Sequence, residues 1–317
     1  MVYINIEFGL GKRRQHVDAD NVKAMDFVEA EAERTRREGR GSTADNYLTA
    51  ARSLSRFMET RAWRFTDLTP QRLEDYQRWL CDRGLCLNTV SVYMRSLRTL
   101  YNRACGGEGE TTAFRGVYTG REHTAKRSAS AEDLRRLRDW PLREGSTLAL
   151  ARDLFLFSFF AMGMPFVDMA HLRKTQIRTG VMHYARQKTA QKVSVAVEPC
   201  MAEIISRYRS PTSDYVFPML RDTTPETIDR VYHNRLRSYN YSLCRLSKII
   251  NSSRPLSSYV ARHSWASLAY SNSLDLQMIA KAMGHTKLST TLIYIRSLFD
   301  PGLADANRNM MKSLGLE

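Results

Sequence analysis

Residues 259–294 read YVARHSWASLAYSNSLDLQMIAKAMGHTKLSTTLIY, and the spacing inside this stretch constrains the rest of the chain. Tyr259 and Arg262 are 262 − 259 = 3 residues apart, so on a helix they share a face. Leu276, Ile279, Ala280 and Met283 recur at helical spacing, and Gly284-His285 stands where that helix should stop. Ser289, Thr290 and Thr291 open a second short helical run carrying Tyr294, 294 − 285 = 9 residues beyond the histidine. An arginine, a histidine and a tyrosine so spaced can surround one phosphate.

Arg262-His263-Ser264-Trp265-Ala266, then Met283-Gly284-His285-Thr286, then Thr290-Thr291-Leu292-Ile293-Tyr294 resemble, in order and spacing, the C-terminal half of the tyrosine recombinases, the phage-integrase family. The resemblance implies a mainly α fold with a small antiparallel sheet in the C-terminal catalytic domain. A helical SAM-like core-binding domain precedes it, and the two form a clamp on DNA. The resemblance also implies roles. Tyr294 is the expected nucleophile, and Arg262 the second catalytic arginine, clamping the scissile phosphate. His285 hydrogen-bonds that phosphate or orients the nucleophile. Lys188, in Arg186-Gln187-Lys188-Thr189 of a predicted hairpin, is the expected general acid.

The chemistry explains those residue types. Breaking a strand without hydrolysis needs a nucleophile that keeps the phosphodiester energy, and a tyrosine does so as a phosphotyrosine ester. Charge grows on the phosphate in the transition state, so fixed cations must face its oxygens. Arginine suits this because its planar fork matches two oxygens. The leaving 5′ oxygen needs a proton, which a lysine can give. Side chains supply the charge, so neither a metal nor any other cofactor is expected.

Two departures from the family pattern stand out. Tyr259 holds the place usually taken by histidine; a phenol can still donate to a phosphate but is a poorer base near neutral pH. The family's Thr-Gly-Leu-Arg is here Met162-Gly163-Met164-Pro165, with Asp168 in the usual acidic place, and Pro165 cannot hold a phosphate. Arg152, 165 − 152 = 13 residues earlier on an apolar helix, is the first candidate substitute, because an arginine there needs an anionic partner. An ion pair with a neighbouring acid is the alternative reading of Arg152. Arg173 is the second candidate.

The totals agree with a polyanionic partner. The 317 residues suggest two domains of ordinary size, and 43% hydrophobic content suits a globular chain. There are 48 basic against 33 acidic residues, a net charge of +15 spread along the whole length, which suggests a nucleic acid backbone. The five cysteines, Cys81, Cys86, Cys105, Cys200 and Cys244, form no zinc pattern and no disulfide framework. No apolar run approaches the roughly 18 residues of a membrane span, and the N-terminus lacks the order of a signal peptide.

Along the chain, residues 1–17 form an N-terminal segment whose first ten alternate like a short strand. Residues 18–105 read as four helices of the core-binding domain, with Ser42 or Thr43 capping the second and Thr69-Pro70 starting the third. Ser42-Thr43-Ala44-Asp45-Asn46-Tyr47 and Asn88-Thr89-Val90-Ser91 resemble that domain most clearly. Tyr47, Arg52, Thr89, Arg95 and Arg98 are its candidate DNA contacts. Residues 106–127 read as a linker ending in Lys126 and Arg127, two further candidates. No arm-binding domain is expected upstream.

Residues 128–317 are the expected catalytic domain with its tail. A capping pattern opens a helix at Ser128 to Glu132. Leu148 to Phe160 is a buried helix, and Gly180 to Ala196 a hairpin turning near Lys188 to Gln191. Helices follow at Met201 to Tyr208 and at Asp229 to Ile250, the latter broken near Tyr239-Asn240-Tyr241. Met310, Met311 and Leu314 share a spacing for docking on a neighbouring protomer or on their own domain.

The first functional reading is a site-specific recombinase, an integrase or DNA invertase of a mobile element. It binds double-stranded DNA with inverted half-sites as a homodimer and synapses as a homotetramer. The variant motifs resemble integrases of Bacteroides-type bacteria, implying bacterial cytoplasm and its nucleoid. A catalytically weakened DNA-binding protein is the alternative, and a type IB topoisomerase a third reading.

Overall fold

The computed structural model describes residues 23–105, 112–122, 128–295 and 310–313, the side chains of 293–295 excepted. The expected N-terminal strand, Lys126, Arg127 and Leu314 lie outside the described residues. The chain divides into two compact units, Met1–Thr124 and Ala125–Glu317. The described residues are mostly helical, with one small antiparallel sheet among them.

The first unit holds α1 (Ala24–Arg37), α2 (Gly41–Phe57), α3 (Pro70–Asp82) and α4 (Leu87–Ala104). Leu54, Trp63, Phe65, Leu73, Tyr76, Leu80, Met94, Leu97 and Leu100 fill its core. Thr69 caps α3, its hydroxyl accepting from Arg72 N at 3.3 Å, with Pro70 at the first helical position as expected. Neither Ser42 nor Thr43 caps α2: the helix starts at Gly41, with Arg40 at the N-cap and no side-chain cap.

Part of the expected linker belongs to this unit. Ala113, Phe114 and Val117 are buried in its core. Asn88 exchanges hydrogen bonds with the Glu122 backbone at 3.0 and 2.9 Å, and Ser91 Oγ donates to Gly120 O at 2.6 Å. Three apolar side chains in a Gly- and Thr-rich stretch suffice to fold it back.

The second unit opens with α5 (Ala131–Asp139), and Ser130, inside the expected capping stretch, is its cap: Ser130 Oγ accepts from Asp133 N at 3.0 Å and the Asp133 carboxylate accepts from Ser130 N. Next come α6 (Thr147–Phe160) and the short α7 (Phe166–Ala170). The sheet runs β1 (Ile177–Arg178), β2 (Val181–Ala185), β3 (Lys192–Ala196) in that spatial order, with Met182 opposite Val195 and Tyr184 opposite Val193. Then follow α8 (Pro199–Arg207), α9 (Ile228–Ile249), α10 (Val260–Ser271), α11 (Leu276–Ala282) and α12 (Leu288–Ile295).

α6 is apolar on all sides, and Leu154, Phe155, Leu156 and Phe157 are buried. Phe157 meets Phe217 edge-on at 4.8 Å. The expected break in α9 does not occur. Asn240 Oδ1 accepts from Ser258 N at 2.8 Å, so its amide finds a partner outside the helix and leaves the helical ladder intact. A satellite core of Ala266, Ala269, Ile279 and Met283 packs α11 onto α10.

Candidate active site

The C-terminus of α11 builds the centre. Asp275 caps the start of the helix, accepting from Gln277 N and Met278 N at 2.8 and 3.2 Å. At the other end His285 N donates to Ala280 O at 2.9 Å and Gly284 N to Lys281 O at 3.0 Å. These two bonds form a Schellman closure, which needs the left-handed Gly284 with φ 64°. A Cβ on Gly284 would meet Val193 Cγ2 at 3.1 Å and Arg186 Cγ at 3.2 Å, so the glycine also permits close approach to the hairpin.

This closure leaves the Met283 carbonyl at the negative end of a helix, where cationic donors are favoured. Arg262 Nη2 donates to it at 2.7 Å, and Arg186 Nη1 donates to the same oxygen. Arg262 Nη1 donates to Gly163 O at 2.8 Å, and its Nη2 also stands 2.9 Å from His285 Nε2. Arg262 is 2% exposed and Arg186 9% exposed.

Asp168 of α7, also buried, offsets part of this charge. Its Oδ2 pairs with Arg186 Nε at 2.6 Å and its Oδ1 accepts from Gln187 N at 2.8 Å. Burial raises its pKa above the ordinary carboxylate value, against the pull of the Gln187 N–H and of both arginines. His285 is held down to about 4 by burial and by the adjacent Arg262 and Arg186 charges, so near neutral pH its ring is uncharged. Its Nδ1 lies 2.8 Å from Thr291 Oγ1, a fully buried hydroxyl on α12.

The Met162-Gly163-Met164-Pro165 stretch has a structural logic of its own. Met162 and Gly163 are both left-handed, with φ 57° and 74°, and end α6. The Gly163 carbonyl faces Arg262, while Pro165 starts α7 and so places Asp168. A Cβ on Gly163 would lie 2.9 Å from Arg262 Cα.

The structure therefore brings Arg262 and His285 together, as expected, and adds Arg186, which sequence reasoning passed over. Arg152 is not part of this centre. Its Nε pairs with Asp153 at 3.0 Å and its Nη1 donates to Trp140 O at 3.0 Å. Asp153, 1% exposed, also binds Arg207 at 2.5 Å and the Tyr208 hydroxyl at 2.9 Å, so Arg152 helps neutralise a buried carboxylate. Arg173 is engaged elsewhere too, exposed beside Asp214 at 3.6 Å and over the Tyr215 ring at 5.3 Å.

Lys188 is exposed in the β2–β3 turn, which Arg186 closes by donating its N–H to Gln191 O at 2.8 Å. Tyr259 stands at the N-cap of α10, 51% exposed, its ring edge-on to His263 at 5.0 Å. Tyr294 lies in α12, and its side chain is outside the described residues.

In the first unit, Arg52 is exposed, and Arg95, Arg98 and Thr89 are partly exposed. Tyr47 departs from expectation: it is 4% exposed in the core, with the Arg103 guanidinium 5.6 Å from its ring. Its helical spacing with Ala50, Ala51 and Leu54 faces the core, so the ring packs inside the unit instead of standing at its surface. Among the described residues no group of three or more His, Cys, Asp or Glu is placed to hold a metal ion, and no helix is long and apolar enough to cross a membrane.

Two family profiles match this architecture. The phage integrase SAM-like domain matches residues 23–108, and the phage integrase family matches residues 131–300. The chain belongs to the phage integrase family, the tyrosine recombinases, and is an enzyme of site-specific recombination.

Among its relatives, tyrosine recombinase XerD of Bradyrhizobium diazoefficiens is 25% identical over 279 residues, spanning 80% of this chain and 85% of that protein. Three solved structures share the fold. XerH recombinase, solved bound to a palindromic difH substrate, has a TM-score of 0.64 at 14% identity over 95% of this chain and 91% of that one. The Tn1549 transposon integrase, in complex with transposon right-end DNA, gives 0.62 at 11% over 93% and 100%. A lambda integrase dimer bound to a COC′ core site gives 0.60 at 13% over 85% and 94%.

Proposed function

We propose that this chain breaks and rejoins DNA at specific sites through a 3′-phosphotyrosine intermediate. One observation carries the reading: two guanidiniums, Arg262 and Arg186, converge on a single carbonyl oxygen beside a neutral histidine. With Asp168 as the facing carboxylate, the group keeps an excess of positive charge in a largely dry setting. Such a setting strengthens attraction for a phosphate. The carbonyls of Met283 and Gly163 occupy donors that phosphate oxygens can take over. Both arginines are buried in the chain, so engagement requires local opening, which contacts to the rest of the DNA backbone can drive.

In this reading Arg262 and Arg186 hold the two non-bridging oxygens, and Arg186 supplies the charge that Pro165 cannot. Tyr294 Oη attacks phosphorus and the phenol gives up its proton to solvent water. The P–O5′ bond breaks, and Lys188 protonates the departing 5′ oxygen, leaving a free 5′ hydroxyl. Rejoining runs the steps in reverse, with a 5′ hydroxyl as the nucleophile. Tyr259 donates to the phosphate from the place where relatives carry histidine.

The chain binds double-stranded DNA as pairs on inverted half-sites and synapses two sites as a tetramer, acting as an integrase or invertase of a mobile element in bacterial cytoplasm. Arg52, Arg95, Arg98, Thr89, Lys126 and Arg127 contact the backbone. Pro165 favours a second reading, a DNA-binding protein weakened in catalysis; the cation at Arg186 weighs against it.

The test is a denaturing gel after incubation of the full chain with nicked duplexes carrying its bound sites. A covalent adduct with wild type, lost in Arg186→Ala and Arg262→Ala, supports the proposal. Absence of any adduct on every bound site supports the second reading.

A further inference from the structure

The contact between His285 and Thr291 has a direction fixed by chemistry. A guanidinium nitrogen only donates. Arg262 Nη2 lies 2.9 Å from His285 Nε2, so Nε2 accepts and carries the lone pair. A protonated ring would turn an N–H towards that guanidinium, which both charge and geometry oppose. The neutral ring then carries its proton on Nδ1, and Nδ1–H donates to Thr291 Oγ1 at 2.8 Å.

Thr291 is 0% exposed and belongs to α12, which bears Tyr294 one turn further on. The hydroxyl thus joins that helix to His285, and His285 joins it to Arg262. We infer that Thr291 is a positioning residue for strand cleavage: its hydroxyl fixes the His285 tautomer and holds the nucleophile-bearing helix against the arginine pair. This rests on the recombinase reading above.

The hydroxyl matters more than the volume. Valine would fill the same space but remove the hydroxyl that Thr291 offers to Nδ1–H. The ring could then move its proton to Nε2, where it would oppose Arg262. Serine keeps the acceptor and sacrifices a methyl group.

The experiment compares wild type, Thr291→Val and Thr291→Ser in single-turnover cleavage of a nicked site. DNA affinity is measured by gel shift, and the His285 tautomer is read by nitrogen-15 NMR, assigned with His285→Asn. Thr291→Val is expected to cleave about 10- to 100-fold more slowly at unchanged DNA affinity, the loss expected when a group orienting a reactive centre is removed. Thr291→Ser recovers most of the rate, and wild type shows the proton on Nδ1.

Wild-type cleavage by Thr291→Val, an equal loss in Thr291→Ser, or an Nε2 proton in wild type overturns the inference. Failure of wild type itself to form an adduct overturns instead the recombinase reading beneath it. The ring tautomer still reports the Thr291 contact in that case.

Discussion

Arg262 Nη2 and Arg186 Nη1 donate to one acceptor, the carbonyl oxygen of Met283. The two residues are 262 − 186 = 76 positions apart in the chain and come from a helix and from the end of a strand. Like charges this close persist because a helix C-terminus, a buried carboxylate and surrounding carbonyls share them.

Arg186→Ala should lower the cleavage rate by about 100- to 1,000-fold, the cost of removing one preorganised donor to a developing anion. Arg152→Ala should leave cleavage near wild type and cost about 1 kcal/mol of stability, because Asp153 keeps Arg207 and Tyr208. Single-turnover rates and denaturant melts of both variants separate the two arginines.

Gly163→Ala should impair cleavage although the glycine carries no chemistry. Its φ of 74° strains any other residue by about 1–2 kcal/mol. The added Cβ would also lie 2.9 Å from Arg262 Cα. Arg262 must then move from its acceptors, so the rate falls while DNA affinity, measured by gel shift, holds.

Acid should destabilise the second unit in part through His285. Its folded pKa of about 4 lies below the usual value near 6.5, so between these the unfolded chain binds more protons. The ring's contribution is intact above pH ~6.5 and is lost as pH falls towards 4. Denaturant melts across that window should show a shallower fall for His285→Gln than for wild type; parallel curves would contradict the ring's burial in neutral form.

Lys188→Ala should slow cleavage by about 100- to 10,000-fold on ordinary DNA if Lys188 protonates the leaving oxygen. A site with sulfur in the bridging 5′ position needs no such proton, and the variant's rate on it should approach wild type. A deficit that persists with sulfur would assign Lys188 to binding instead.

Much of this was legible in the sequence because helix and strand periods are local. The buried α6, the hairpin, the Thr69-Pro70 start and the Gly284-His285 stop all follow from nearby residues. Arg186 was also within reach. Met182 and Tyr184 face inward at period two, and the next position on that face is an arginine. Pro165 leaves no cation at its own place in the chain, while the fold sets Arg186 beside Arg262 from a distant strand end.

Arg152 follows its alternative reading, the ion pair with a neighbouring acid: Asp153 adjoins it in sequence, while the burial that gives that acid its need for a cation is a tertiary fact. Residues 112–122 misled because few apolar side chains anchor them, and Asn88 and Ser91 do the rest. Side-chain hydrogen bonds between distant segments leave no periodic trace.

The most direct measurement is the chemistry at residue 294. Adducts of the full chain on its own bound sites are digested with nuclease and protease and the peptides sequenced by mass spectrometry. A nucleotide 3′-phosphate esterified to Tyr294, absent in Tyr294→Phe, is the expected result. Attachment to another residue, or an adduct that survives Tyr294→Phe, would contradict it.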